Sequence, residues 1–324
     1  LMIPDLFTYF LSGEKICEYT NATTTQMYSV KKDKWVKELL EDLDIPTHYL
    51  ISVTKPGRVI GRVQSSLGFL KNTKVVATGS HDTASAIVGI PMEESSIYIS
   101  SGTWSLVGIE LDEPLINEGS LQNNFTNEGG VGKITFLKNV TGMWIFEECR
   151  REWNKPLEEL LQVDEIESSS VIDVDEMRFQ TPGNMPEKII CYLRETGQKI
   201  PESMLEIVRI LFESLALKYR WVVEKIEELT GKRYHKIHIV GGGAKNEIIN
   251  QLTADVTGKE VIAGPYEATT IGSAIIQMLA LGEINSIEEG REIVRNSFEL
   301  KVYRPQENFL LEDKYNLLRR VLKV

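Results

Sequence analysis

Residues 236–246 read KIHIVGGGAKN: a short apolar segment, three glycines, and then the polar start of a helix. The helix predicted over about 246–257 is followed by a strand pattern at 260–263 and a second helix pattern at 268–281. Strands that alternate with helices indicate an α/β fold with a partly parallel sheet. This stretch therefore decides the fold class that the rest of the chain has to fit.

The glycines Gly241, Gly242 and Gly243 admit two interpretations. Glycines at a strand-to-helix junction let the backbone approach a flat ligand closely, and the free N–H groups that open the next helix favour an anion. The alternative is a tight turn that binds nothing, and three glycines alone do not separate the two. Neither a Walker loop nor a complete G-x-G-x-x-G pattern is present, which disfavours P-loop and Rossmann sites.

Hydrophobic periodicity predicts the remaining elements, the longest being a helix over about 203–229. Segment 20–25 is polar and β-prone, and 112–130 is rich in Asn and Gly and is expected to be a loop. A strand-to-helix turn is expected at 80–87. Further strands are predicted at 75–78, 97–100, 104–109 and 134–137, and further helices at 4–10, 31–43, 144–153 and 308–322.

The composition excludes several classes of protein. The 324 residues carry 36 Lys and Arg against 47 Asp and Glu, a net charge of −11, which argues against a protein that binds duplex nucleic acid. No apolar stretch approaches the roughly 18 residues needed to span a bilayer, so no membrane partner is expected. The cysteines Cys17, Cys149 and Cys191 are too few and too scattered for a disulfide framework, which favours a cytoplasmic location.

The chain starts LMIPDLF, without Met at position 1 and without a signal peptide. We expect this to be a position inside a longer protein.

The hairpin Ser100-Ser101-Gly102-Thr103-Trp104-Ser105 lies between two predicted strands. Its hydroxyl and backbone N–H donors suit a phosphate group. Ser-Gly is also an ordinary hairpin turn, and for these residues alone that is the favoured interpretation.

His81-Asp82-Thr83 stands where the helix after strand 75–78 begins. The simpler interpretation makes Asp82 an N-cap that accepts a hydrogen bond from the Ser85 amide. The functional one makes it a carboxylate that orients a substrate hydroxyl and takes its proton late in a phosphoryl transfer. The role of His81 stays open between polyol binding and structure.

A weaker group lies at Lys138-Asn139 and Glu147. Asn139 offers both a donor and an acceptor, as recognition of a sugar requires. Glu147, on its local sequence, belongs to the solvated face of a helix.

Taken together and in this order, the motifs resemble the FGGY carbohydrate kinases over essentially the whole chain. The motifs that carry the resemblance are TNATTTQ (20–26), SHDTASA (80–86), SSGTWSL (100–106), TNEGG (126–130), LKN (137–139), GGGAKN (241–246), QLTAD (251–255) and GPYEAT (264–269). The resemblance implies an actin/hexokinase-like, ribonuclease H-like two-domain α/β fold, with ATP and sugar in the interdomain cleft. It also implies an ATP-dependent sugar kinase using Mg²⁺, with L-rhamnulose as the expected substrate in rhamnose catabolism.

The resemblance assigns roles residue by residue. Asp82 is the general base, and the expected sugar-binding residues are His81, Asp82, Thr83 and Asn139. The expected ATP-binding residues are Gly102, Thr103, Gly241, Gly242, Gly243 and Glu147. Glu147 departs from the family, which places Gln there, and a carboxylate near phosphates needs Mg²⁺ or a basic group beside it. No metal ligand is assigned in this chain.

The family's first phosphate hairpin, an Asp-x-Gly-Thr/Ser motif, is absent from these residues, so the first domain is expected to be only partly present. We expect residues 1–88 to be the end of the N-terminal, sugar-binding domain, 89–300 the nucleotide-binding domain, and 301–324 a terminal strand and helix. The 324 residues alone are expected to be inactive. The alternatives are a kinase of another ketose or polyol, such as fuculose or xylulose, or a non-catalytic nucleotide-binding module.

Overall fold

The computed structural model describes residues 2–70, 72–93, 95–306 and 309–322. The strands are β1 Tyr28–Ser29, β2 Lys34–Trp35, β3 Arg58–Arg62, β4 Lys74–Ala77, β5 Ile97–Ser101, β6 Trp104–Leu111, β7 Thr126–Gly129, β8 Ile134–Thr141, β9 Lys236–Val240, β10 Glu260–Ala263 and β11 Lys301–Tyr303. The helices are α1 Ile3–Ser12, α2 Tyr19–Thr24, α3 Lys37–Asp42, α4 Asp82–Val88, α5 Glu118–Gln122, α6 Trp144–Trp153, α7 Leu157–Leu160, α8 Met185–Glu195, α9 Met204–Thr230, α10 Glu247–Thr257, α11 Ala268–Leu281, α12 Ile287–Ser297 and α13 Phe309–Leu322.

The chain forms two compact units, each built from separate stretches of sequence. Unit 1 comprises Leu1–Ser95, Gly108–Leu137 and Glu267–Glu299, and unit 2 comprises Ser96–Val107, Lys138–Tyr266 and Leu300–Val324. The predicted boundaries at 88 and 300 divide the chain in sequence order, whereas each of these units combines stretches that are distant in sequence. The linear division therefore stays a prediction.

Unit 2 contains the predicted α/β core. Strand β9 pairs in parallel with β5 on one side and with β10 on the other, and β11 adds antiparallel to β10. The alternation around the glycines at 241–243 thus gives the partly parallel sheet that was predicted. The long helix α9 is capped by Ser203, whose side chain accepts from the Glu206 amide, and it ends at Gly231 in a left-handed conformation.

Unit 1 is held together by a close crossing of α4 and α11. A Cβ placed on Gly272 would lie 1.8 Å from the Ser85 carbonyl oxygen, and one on Gly89 would lie 2.3 Å from the Ala268 carbonyl oxygen. The two helices therefore meet backbone to backbone. Beside them, Val88 and Ile276 belong to a buried apolar cluster.

The prediction that the polar segment 20–25 is β-prone is wrong, because Tyr19–Thr24 form α2. The side chain of Glu18 accepts hydrogen bonds from the amides of Thr20 and Asn21 and so caps the helix. Capping by the residue directly before the helix here outweighs the low helix propensity of threonine.

The helix predicted over 31–43 is also wrong in extent, since only Lys37–Asp42 is helical. Asp33 has a positive φ of 49°, which turns the chain so that β2 pairs with β1. A left-handed residue at this point is incompatible with a continuous helix.

The loop expected at 112–130 contains two elements. Asn117 and Ser120 form a reciprocal capping box at the start of α5. Strand β7 pairs antiparallel with β8, Thr126 opposite Leu137 and Gly129 opposite Ile134. Of the Asn residues that suggested a loop, Asn117 and Asn123 cap α5, Asn124 has a positive φ of 56°, and Asn127 lies in β7.

The other predicted elements are confirmed to within a few residues at each end. In the C-terminal helix, Asn308 lies outside the described residues. None of the helices in the described ranges combines the length and apolar character that crossing a membrane needs.

Candidate functional site

In unit 1, a buried carboxylate fixes the loop that carries His81 and Asp82. Glu18 is 1% exposed, and its Oε2 accepts from the Ser80 amide at 3.1 Å and from the Ser80 hydroxyl at 2.7 Å. Its Oε1 accepts the Thr20 amide at 3.0 Å. One carboxylate thus ties the start of α2 to the loop before α4.

A second set of bonds continues this attachment. The amide of His81 donates to the Thr20 hydroxyl at 3.0 Å, and the Asn21 side chain donates to the Ser80 hydroxyl at 3.0 Å. Ser80 and His81, the last two residues before α4, are therefore held by side chains of α2. The polar motifs at 20–26 and 80–86 are thus in direct contact.

Asp82 is the first residue of α4, and its side chain is 80% exposed. Its Oδ1 accepts the Thr83 amide at 2.7 Å, whereas the Ser85 amide donates to the His81 carbonyl at 3.3 Å. The predicted cap from Asp82 to the Ser85 amide is therefore wrong. The carboxylate stays accessible at the end of the helix, and Thr83 beside it is buried.

The imidazole of His81 lies between two carboxylates. Its Nε2 is 3.7 Å from Asp82 Oδ1, and its Nδ1 is 3.5 Å from Glu128 Oε2. Glu128 stands on β7, and its Oε1 accepts from the Thr126 hydroxyl at 3.2 Å. The structure adds Glu128 as a neighbour of the consecutive residues His81, Asp82 and Thr83, whose assignment to the sugar stays a prediction.

In unit 2, the turn Gly102-Thr103 is held from behind by the start of α6. The Thr103 carbonyl accepts from the Gly142 amide at 3.1 Å and the Trp144 amide at 3.2 Å, and the Gly102 carbonyl accepts from Met143 at 3.0 Å. The Thr103 side chain is exposed, and its hydroxyl has no hydrogen-bond partner among the described residues. Hydrogen bonds therefore hold the two carbonyl oxygens of the turn in place, and the Thr103 hydroxyl is available to donate to a ligand.

Gly142 makes this arrangement possible, because a Cβ there would lie 2.6 Å from the Ser105 hydroxyl and 2.7 Å from the Gly102 carbonyl oxygen. Behind the turn, the Ser105 hydroxyl lies 2.6 Å from the hydroxyl of Tyr219. Burial raises the pKa of Tyr219 to about 12, so its hydroxyl keeps its proton at neutral pH.

The three glycines after β9 differ in their surroundings. A Cβ on Gly241, where φ is 83°, would lie 2.7 Å from the Ser101 carbonyl oxygen, and one on Gly243 would lie 2.0 Å from the Ser101 hydroxyl. A Cβ on Gly242 would meet nothing within 4 Å. Two glycines are therefore required by packing against Ser101, while Gly242 faces open space. Ser101 joins this glycine turn to the turn at Gly102-Thr103.

Asn139 is exposed within β8, whose other residues are buried. The neighbouring Lys138 is buried, and burial lowers the pKa of its ammonium group. Asn139 lies three residues before Gly142, so one strand connects the candidate sugar contact with the support of the Thr103 turn. Both belong to unit 2.

Glu147, on α6, is paired with Arg150: Oε2 lies 2.8 Å from Nε and 2.7 Å from Nη2. The basic group that a carboxylate near phosphates would need is therefore already beside it. The side chain is 42% exposed, as the solvated-face interpretation expects.

Sequence reasoning missed the roles of Glu18 and Gly142, the packing of the glycine turn against Ser101, and the contact of Glu128 with His81. A signal existed for Glu18, because an acidic residue directly before a Thr-rich segment is a helix cap pattern. Ser101 and Gly142 gave none, since their role depends on atoms distant in sequence.

Within the described residues, no group of three or more His, Cys, Asp or Glu side chains is arranged to hold an ion.

Comparison with known proteins gives matches over most of the chain. Residues 1–89 match the model of the N-terminal domain of the FGGY family of carbohydrate kinases, and residues 97–281 match that of its C-terminal domain. The rhamnulokinase of Oceanobacillus iheyensis is 43% identical over 94% of this chain and 66% of its own length, and that of Bacillus subtilis is 38% identical over 95% and 65%. The chain therefore spans about two thirds of the length of these relatives.

The fold is also found in solved structures. The gluconate kinase of Lactobacillus acidophilus superposes with a TM-score of 0.74, at 16% identity over 100% of this chain and 66% of that one.

Proposed function

The chain belongs to the FGGY family of carbohydrate kinases, and from this membership we propose that it serves the ATP-dependent phosphorylation of L-rhamnulose to L-rhamnulose 1-phosphate. The rhamnulokinase relatives at about 40% identity support this substrate over fuculose or xylulose. The family models support residues 1–88 as the end of a sugar-binding domain and 89–300 as a nucleotide-binding domain. The cytoplasmic location stays a prediction.

The observation that carries the proposal is the exposed carboxylate of Asp82 on a loop fixed by Glu18. An N-cap residue precedes the helix and accepts from an amide two or three residues further on. Asp82 is instead the first residue of α4, and among the described residues it accepts hydrogen bonds from the adjacent Thr83 alone. A nucleotide switch needs no accessible carboxylate of this kind, whereas a kinase needs one to receive the proton of the acceptor hydroxyl. The geometry therefore favours the enzyme over the non-catalytic module.

In the proposed reaction a sugar hydroxyl oxygen attacks the γ-phosphorus of ATP. The bond from that phosphorus to the β–γ bridging oxygen breaks, and its electron pair leaves with ADP. The hydroxyl proton passes to Asp82. His81, Thr83 and Asn139 are the proposed sugar contacts, and orientation of the two reactants supplies much of the rate enhancement.

The proposed nucleotide contacts are Gly102, Thr103 and the glycine turn 241–243. Gly242 leaves room for a ligand against its backbone, and the Thr103 hydroxyl is a donor for a phosphate oxygen. For Glu147 the pairing with Arg150 supports a role at the edge of such a site, since the ion pair reduces repulsion of phosphates. Mg²⁺ enters with ATP, because magnesium in kinases is held largely by substrate phosphates and water.

The test is ketose-dependent release of ADP by a fusion that joins these 324 residues to the additional residues of the Oceanobacillus iheyensis relative. L-Rhamnulose, L-fuculose and D-xylulose are compared, with glycerol as the control. We expect the highest kcat/KM for L-rhamnulose. A higher value for another ketose would reassign the substrate, and nucleotide binding without release of ADP from any sugar would support the non-catalytic module.

A further inference from the structure

Glu128 carries a buried oxygen without a hydrogen bond. Its side chain is 12% exposed, Oε1 accepts from the Thr126 hydroxyl, and Oε2 is buried and has no hydrogen-bond partner. A carboxylate only accepts, and leaving a buried acceptor unpaired is costly. The nitrogen in reach is His81 Nδ1, 3.5 Å from that oxygen.

We propose that Glu128 is a positioning residue that keeps the proton of the neutral His81 imidazole on Nδ1, leaving Nε2 as a hydrogen-bond acceptor beside Asp82 Oδ1. Neutral imidazole carries one N–H, and the hydrogen bond made by one ring nitrogen sets the state of the other.

The two carboxylates compete unequally for that proton. Asp82 is 80% exposed and its Oδ1 already accepts the Thr83 amide at 2.7 Å, so water and backbone satisfy it. Glu128 is largely removed from water, where a hydrogen bond is electrostatically stronger and an unpaired oxygen is more costly. A proton on Nδ1 therefore supplies a hydrogen bond to the buried Oε2 of Glu128, the oxygen for which the lack of a partner costs more free energy.

This placement decides what His81 and Asp82 offer together. With the proton on Nδ1, Nε2 and the Asp82 carboxylate are two acceptors whose facing atoms are 3.7 Å apart. They suit a ligand with two neighbouring hydroxyl donors, a part of the inference that rests on the proposed sugar kinase function. With the proton on Nε2, the imidazole would donate toward Asp82 and compete with the substrate hydroxyl for the base.

The substitution Glu128→Gln is expected to move the proton of the His81 ring from Nδ1 to Nε2. The Gln carbonyl oxygen replaces Oε1 as acceptor for the Thr126 hydroxyl, which turns its NH₂ group toward His81 Nδ1. A donor facing Nδ1 stabilises its lone pair, so the proton moves to Nε2. Glu110→Gln is the matched control: Glu110 also belongs to unit 1 but pairs with Arg291, at 2.8 Å.

The experiment is nitrogen NMR of the 324-residue chain with labelled histidine, at a pH well above the ordinary histidine pKa of about 6.5. A His81→Gln variant assigns the signals. We expect the wild type and Glu110→Gln to show a protonated Nδ1, and Glu128→Gln a protonated Nε2. Titration of the fusion described above with L-rhamnulose should give an affinity about tenfold weaker for its Glu128→Gln variant, the loss expected for one hydrogen bond.

A protonated Nε2 in the wild type would overturn the inference even if the variant failed to fold. An unchanged His81 signal in folded Glu128→Gln would overturn it as well. If the ring inverts as expected but L-rhamnulose binds neither the fusion nor its Glu128→Gln variant, the tautomer assignment stands and the proposed substrate is wrong.

Discussion

Asp82 shows what one residue reveals in its sequence and what it does not. The pattern of a short strand followed by small helix formers predicts that a helix begins there, and this is confirmed. Whether the carboxylate caps the helix depends on its torsion angles and on Glu18, far earlier in the chain. The sequence therefore predicts the position of Asp82 but not its availability, which follows from tertiary contacts.

Replacing Asp82 with Asn separates the two roles at this residue. Asn can still accept the Thr83 amide, so the fold should be retained, but it cannot take a proton. General-base groups contribute roughly 10²–10⁴-fold, and kcat of the fusion with L-rhamnulose should fall by that factor. The measurement is steady-state release of ADP, with thermal unfolding as the control. Near-normal turnover in a folded variant would contradict the assignment of Asp82 as the base.

Asp5 predicts a pH dependence of stability. The side chain is buried, and burial raises the pKa of its carboxyl from 3.8 to about 6. Between these pH values the folded state binds more protons than the unfolded state, so the free energy of unfolding decreases as the pH rises through this range. Asp5→Asn should therefore stabilise the chain by about 2 kcal/mol at pH 8 and little near pH 4.

Urea unfolding at the two pH values measures this difference. Asp33→Asn is a control of opposite sign, because a hydrogen bond from Lys55 lowers the pKa of the Asp33 carboxyl. It should not stabilise the chain at pH 8. An Asp5→Asn variant that is no more stable than wild type at pH 8 would show that the buried carboxylate is not penalised.

At the scale of elements, most of the fold was predictable because local pattern and packing agree. The strand 236–240 and the helix 268–281 follow directly from apolar periodicity. The errors fall where a capping side chain or a single turn residue decides: Glu18 caps a Thr-rich segment that then forms α2, and Asp33 interrupts a helix pattern. For the candidate site, the motifs located the turns, but the support from Gly142 leaves no local signature.

The glycine turn after β9 gives a prediction with a built-in control. Gly242→Val places its side chain in open space, so stability should change by no more than about 0.5 kcal/mol, while affinity for ATP should fall about tenfold or more. Gly243→Val collides with Ser101 and should lower the melting temperature. Calorimetric titration and thermal unfolding measure the two effects. Unchanged affinity in Gly242→Val would return the turn to a purely structural role.

The crossing of α4 and α11 gives a second prediction at this scale. Gly272→Ala places a methyl group 1.8 Å from the Ser85 carbonyl oxygen, so the helices must separate. Overpacking of this kind costs about 1–3 kcal/mol. Because α4 begins with Asp82, activity of the fusion should fall along with stability. Urea unfolding tests the first effect, and an unchanged midpoint would mean that the crossing is looser than described.

At the scale of the whole molecule, the compact units do not follow chain order. Unit 1 gathers residues up to Ser95 with two later stretches, including the one that holds α11. Domain boundaries predicted from sequence depend on changes of composition along the chain. They do not indicate that α11 packs against α4, which lies nearly 200 residues earlier. The family resemblance supplied the two-domain architecture, and the physical pattern alone supplied only the α/β class.

We predict that the 324 residues bind ATP weakly and do not phosphorylate L-rhamnulose by themselves. Phosphoryl transfer needs donors around the γ-phosphate on more than one side, and the Asp-x-Gly-Thr/Ser hairpin of the family is absent from this sequence. ADP release by these residues is compared with that of the fusion described above. Robust turnover without the added segment would show that this hairpin is dispensable.

The glycine contact between α4 and α11 also bears on how the protein can evolve. The helix that begins with Asp82 is fixed on a side where no side chain larger than hydrogen fits, so selection has little freedom there. Variation at Glu128 and Thr126 leaves that contact untouched, because both residues lie on β7. Libraries aimed at a new sugar should therefore diversify β7 and leave Gly89 and Gly272 unaltered, so that the proposed sugar contacts can change while Asp82, the proposed base, stays in place.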